Sequence, residues 1–102
     1  MPKRGADASS EFRIFETGEF QKRLEHLPLP DSRFLQRKLA EHVYPQLRKD
    51  PFFGLNIKKL KGYSPETWRY RIGRFRVFYV VDQSEQIVAV LSVDNRRDAY
   101  NQ

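Results

Sequence analysis

The chain has no cysteine, so neither a disulfide nor a thiolate metal site is available. That composition fits a reducing cytoplasm, the expected location. Histidine is almost as scarce. His26 and His42 stand far from the carboxylates near the C-terminus, so no zinc site and no metal cofactor are expected. No apolar run approaches the roughly 20 residues of a membrane helix, so no membrane contact is expected. Met1 to Ser10 is too short and too polar for a signal peptide and reads as a loose tail. The chain shows no internal repeat and no low-complexity tract. Its 102 residues suit a tail over 1–10 and a single domain over 11–102, long enough for one core.

Acidic residues are nearly missing from one segment. Between 58 and 76 the chain carries Lys58, Lys59, Lys61, Arg69, Arg71, Arg74 and Arg76 against Glu66 alone. Of 19 Lys and Arg and 13 Asp and Glu in all, this leaves twelve of each sign elsewhere. The net charge of +6 therefore lies entirely in that segment. Such a footprint points to nucleic acid or another polyanion.

The same segment holds the clearest structural signal. Trp68 to Tyr79 alternates in character with period two around Gly73-Arg74, which predicts a hairpin with a II′ turn. The turn sets Ile72 opposite Phe75, Arg71 opposite Arg76, Tyr70 opposite Val77, Arg69 opposite Phe78 and Trp68 opposite Tyr79. One face then carries Trp68, Tyr70, Ile72, Phe75, Val77 and Tyr79. The other carries Arg69, Arg71 and Arg76, with Phe78 and Val80 beyond. Like charges directly across a hairpin destabilise it. Either a polyanion rests on that face, or acids from elsewhere pair with the arginines. Glu66 could serve one of the three. No acid is expected directly across from Arg76.

Around the hairpin the pattern predicts β-α-α-β-β-β. Phe12 to Glu16 is a short strand. Thr17 caps a helix with Phe20, Leu24 and Leu27 on one face. Asp31 caps a second, with Leu35, Leu39 and Val43 buried and Phe34 and Ala40 widening the stripe. Pro45 ends or kinks it near Tyr44. Residues 52–65 form a connection that tucks Phe52, Phe53, Leu55, Ile57 and Leu60 toward the core. Ile87 to Val93 is the most apolar strand, expected to be buried on both faces and central. The fold class is α+β, a helical hairpin packed on a mainly antiparallel twisted sheet.

Over about residues 12–100 the chain resembles the RelE/ParE superfamily of toxins from type II toxin–antitoxin pairs. Three motifs in order carry the resemblance. They are Lys59-Leu60-Lys61-Gly62, then the arginine hairpin closing on Phe75-Arg76-Val77-Phe78-Tyr79, then Val90-Leu91-Ser92-Val93 followed by Arg96-Arg97-Asp98-Ala99-Tyr100. The resemblance implies a RelE-like fold. On the RelE side it implies an mRNA interferase that cuts messenger RNA on the ribosome without a cofactor. The ribose 2′-hydroxyl would attack the adjacent phosphate. The matching catalytic positions are Arg69, Arg71, Arg76, Arg96 and Tyr100. Lys58, Lys59, Lys61 and Arg74 would bind RNA. Its partners would be a cognate antitoxin, the ribosome and mRNA, with a heterotetramer or larger assembly open. RelE-type sites place lysines where this chain has Arg69 and Arg71. Arginine does not give up its proton, so a general base is not expected among them. Tyr100 or purely electrostatic catalysis remains, as does a non-catalytic relic that binds antitoxin or nucleic acid. A ParE-like inhibitor of DNA gyrase would share the fold, although ParE-type members generally lack this arginine and tyrosine set.

Overall fold

Gly73 takes φ +59° while Arg74 does not take a positive value, as a II′ turn requires. Around it, β3 (Trp68–Ile72) and β4 (Phe75–Asp82) pair in the expected register, from Ile72 beside Phe75 to Trp68 beside Tyr79. The structure is a computed structural model and describes residues 11–95. The expected tail over 1–10, and Arg96, Tyr100 and the rest of the C-terminal motif, lie outside the described residues.

The sheet has five strands in the order β1-β5-β4-β3-β2. Strand β5 (Ile87–Asn95) runs antiparallel to β4, and β1 (Arg13–Glu16) runs parallel to its first half. The fifth strand, β2 (Ile57–Lys59), lies within the stretch expected to be a plain connection. Three residues are too few for alternation to show in sequence; the free edge of β3 supplies the hydrogen bonds that make them a strand. In the same stretch Phe52 packs edge-on to Phe12 and Trp68, and Ile57 is half-buried. Phe53 and Leu55 do not tuck in: they are 75% and 103% exposed. The central strand is β4. Strand β5 lies next to it, buried at Val88, Val90 and Val93 on one face, with its other residues half-buried.

The helices cover one face of the sheet. Helix α1 (Gly18–Glu25) begins at Thr17, whose Oγ1 accepts the Phe20 N–H at 3.2 Å. The same hydroxyl donates to the Val90 carbonyl at 2.8 Å, which ties the cap to β5. Leu27 falls just beyond the helix and packs partly buried against the core. Helix α2 (Leu29–Lys38) starts two residues before Asp31, behind Pro28 and without a side-chain cap. Pro30 in the first turn supplies preset φ where no N–H is needed. Asp31 sits in the first turn and turns to another partner, described below.

Pro45 does not end the helix but distorts it locally. α2 runs into a π-helical turn (Leu39–Val43) and then α3 (Tyr44–Lys49). In the π turn the Tyr44 N–H bonds the Leu39 carbonyl, one residue further back than in an α-helix. This widening makes room for a ring that would otherwise meet the carbonyl four residues earlier. Phe20, Leu24, Leu35, Leu39, Val43 and Leu47 interlock with Tyr70, Ile72, Phe75, Val77, Tyr79, Val88, Val90 and Val93. Ala40, expected on this stripe, is exposed.

Three polar contacts pin the layers. The buried Tyr79 hydroxyl donates to the Pro51 carbonyl at 2.6 Å. The Tyr70 hydroxyl donates to Gln46 Oε1 at 2.6 Å, joining β3 to α3. The Tyr44 hydroxyl donates to Glu16 Oε2 at 2.6 Å, joining α3 to β1. Burial, and for Tyr44 also the Glu16 carboxylate, pushes both the Tyr44 and Tyr79 phenols well above the ordinary tyrosine range.

Candidate functional site

The face of the sheet opposite the helices is built from the residues that alternate with the core. Register lines them up in two rows. One runs Lys58 on β2, Arg69 on β3, Phe78 on β4 and Ser92 on β5. The other, nearer the turn, runs Arg71, Arg76 and Asp94. Side chains directly across neighbouring strands start about 5 Å apart, so four cations share a small area.

Arg76 is central to the second row. Its Nε is buried and, among the described residues, has no hydrogen-bond partner. Its guanidinium lies 5.7 Å from the centre of the Phe78 ring, which supports it from beside. Contrary to the sequence expectation, an acid does stand directly across from it: Asp94 of β5. Asp94 Oδ1 instead lies 3.6 Å from Arg23 Nη1 of α1. Arg23 in turn donates to Glu19 at 2.8 Å.

Asp94 was missed because simple alternation from Val88 and Val90 would turn it into the core. A bulge intervenes. Phe78 pairs with Ser92 but Tyr79 pairs with Val90, so Leu91 is an extra residue on β5. The parity flips, Val93 enters the core and Asp94 comes out beside Arg76.

The other expected site residues divide. Arg69 donates to the Asn56 carbonyl at 2.8 Å, and the Arg71 N–H meets the same carbonyl at 2.9 Å. Arg69 thereby anchors the segment leading into β2. Arg71 is exposed and also borders a cleft toward α2. Lys58 joins the open face, whereas Lys59 points the other way along β2 and pairs with Glu66 at 3.0 Å. Glu66 thus serves a lysine and not one of the three arginines. Arg74 pairs with Asp31 at 2.9 Å and lies over the Phe75 ring. Among the described residues, Lys58, Lys61, Arg71 and Arg76 have no ion-pair partner.

The same residues contain no group of three or more His, Asp or Glu placed to hold a metal ion. No helix among them is long and apolar enough to cross a membrane. What the open face can do is hold a phosphate: a half-buried guanidinium flanked by other cations presents N–H donors to its oxygens.

Comparison with known proteins agrees with this architecture. Residues 17–100 match the family described as the ParE toxin of the type II toxin–antitoxin system parDE. A candidate toxin RelE1 of Methanocaldococcus jannaschii is 47% identical over 45 residues, 44% of this chain; the match spans about half, 49%, of that relative. The archaeal RelE–RelB complex from Pyrococcus horikoshii superposes with a TM-score of 0.63 at 22% identity, covering 84% of this chain and 96% of the other. The RelBE2 toxin–antitoxin complex of Mycobacterium tuberculosis gives 0.65 at 23%, covering 84% and 99%. A double arginine-to-alanine mutant of Escherichia coli RelE in the free state gives 0.61 at 20%, covering 88% of each. These structural likenesses show the fold, an α+β domain with helices on a five-stranded mixed sheet. With most of its length matched by one family, the chain belongs to the ParE toxins of type II toxin–antitoxin systems, within the RelE/ParE superfamily.

Proposed function

We propose that this toxin is a ribosome-dependent endoribonuclease that cleaves mRNA, and that its open sheet face is the active surface. The observation that carries this reading is Arg76: a half-buried guanidinium with an unpartnered Nε, directly across from Arg71. A fold selected for stability alone gains nothing from that arrangement.

Arg76 clamps the scissile phosphate, and Arg71 neutralises charge developing on its oxygens. Arg69 and Lys58 continue the basic row along the RNA backbone. Arg96 stabilises the leaving oxygen, and Tyr100 orients the 2′-hydroxyl or stacks on a splayed base. The 2′-oxygen forms its bond to phosphorus as the bond to the 5′-oxygen breaks. Its proton needs an acceptor that arginine cannot be. Asp94, in register beside Arg76, is the carboxylate on this part of the face that can take it. The 5′-oxygen takes a proton from water, and the hydroxide left behind takes back the proton held by Asp94, leaving a cyclic phosphate and a free 5′-hydroxyl. A cognate antitoxin is the natural inhibitor, covering the basic face.

Mapping transcript 5′ ends after induction tests the reading. Cuts inside translated codons are expected for the native chain. For Asp94→Asn, cleavage falls roughly 10²-fold or more while RNA affinity holds or rises. Filamentation and DNA-damage signalling without cuts would support the second reading, a ParE-like gyrase inhibitor, which the ParE family match favours.

A further inference from the structure

A cleft of about 420 Å³ opens where α2 and the π turn meet the edge of β3, lined among others by Phe34, Lys38, His42, Asn56, Tyr70 and Arg71. It lies on the helix side of the hairpin and meets the rows described above only at Arg71, the one lining residue that enters the proposed chemistry. We infer that this cleft binds a second nucleotide of the RNA strand, with its phosphate on Lys38, His42 and Arg71 and its base against Phe34. The inference rests on the RNA-cleaving reading and extends it to a flanking nucleotide.

Strand β2 pairs only with Trp68, Arg69 and Tyr70, so β3 projects past it from Arg71 onward. The cleft opens at that edge, beside the bond from the Arg71 N–H to the Asn56 carbonyl. Arg71 therefore belongs both to the row containing Arg76 and to the cleft, and a strand held at Arg76 reaches the cleft by passing over Arg71.

The lining holds two fixed cations and a histidine, with no carboxylate. Lys38 and Arg71 have no ion-pair partner among the described residues. The carboxylate nearest His42 is Glu41, 4.0 Å away and outside the lining. Lys59 and Arg74, by contrast, already have acidic partners.

Phe34 is half-buried, and Lys38 Nζ lies 5.9 Å from its ring centre, so an aromatic face and a cation stand together as in single-strand binding grooves. The opposite wall is rigid: Tyr70 is fastened to Gln46 and the Arg71 N–H to Asn56. The volume falls in the usual range of small-ligand clefts.

The test uses a fluorescent single-stranded RNA decamer, 2′-O-methylated throughout so that the nucleophile is blocked, and reads anisotropy against salt. In a Lys38→Gln/His42→Gln variant the dissociation constant should rise about tenfold. The slope of log affinity against log salt should become shallower by roughly 0.7 per lost phosphate contact. Arg33→Gln/Arg37→Gln removes two exposed cations of the same helix outside the lining and should change affinity less than twofold. Equal losses in both variants, at matched thermal stability, would overturn the site, leaving only net charge. So would unchanged RNA affinity with lost binding of an oligo-glutamate peptide, which would assign the cleft to an acidic protein segment. Transcript cleavage by the native chain with no effect of the cleft variant on the decamer removes the cleft and keeps the nuclease. The cleft effect without any cleavage does the reverse.

Discussion

The two faces of one sheet have been built to different rules. On the helix side the positions of β3 and β4 that alternate inward are apolar, buried from Tyr70 to Tyr79 and half-buried at Trp68 and Val81, and the tyrosines there have their hydroxyls bonded. On the open side the same two strands place Arg71 against Arg76 and leave a buried Nε without a partner among the described residues. The first face contributes stability, through roughly 1.5–3 kcal/mol for each large apolar side chain removed from water. The second gives some up. The difference teaches where function resides: strands share a backbone, so a cost accepted on one face is offset by packing on the other.

That contrast breaks most readily at its extremes. Leu35→Ala, at a fully buried position of α2, should cost about 2–5 kcal/mol in urea unfolding, enough to leave little folded protein. Arg76→Ala should do the opposite. Cleavage falls roughly 10²–10³-fold, as for loss of one preorganised donor to a developing oxyanion. The unfolding midpoint should barely move. Equal losses of stability and activity would show that the faces are not separable.

Alkaline pH separates them by another route. The phenols of Tyr44 and Tyr79 are raised by burial in the folded state, so folding favours their neutral forms. Their contribution is fully present below the unfolded value of about 10 and is lost as pH rises above it toward the higher folded values. Stability should fall between pH 10 and 11 by at most about 1.4 kcal/mol per tyrosine. Tyr79→Phe should flatten that slope, whereas changes at Arg71 should not.

The smallest effect is the most pointed. Arg71→Thr removes one half of the like-charge pair and adds a β-branched residue, so the hairpin should gain about 0.2–1 kcal/mol while RNA affinity drops. A loss of stability would mean that Arg71 has a structural task on that face.

Much of this was legible in the residues. Gly73 and the period-two alternation around it predicted every pair of the β3–β4 register, because turn type and strand period are local. Leu35, Leu39 and Val43 announced their buried stripe for the same reason. The edge strand β2, the start of α2 and the π turn before Pro45 were not legible. Each depends on a neighbour: a free strand edge, a proline at the first turn, a one-residue widening that only the packed helix shows.

The candidate site divides along the same line. Sequence by itself determined where the positive charge lies and that Arg69, Arg71 and Arg76 share a face, since both follow from composition and alternation. Only the tertiary structure decided which cations are available. Asp31 meets Arg74 across 43 residues of chain, Glu66 meets Lys59, and a bulge at Leu91 turns Asp94 from the core to the side of Arg76. Ion pairing and strand parity beyond a bulge depend on distance in space, which no local pattern of residues encodes.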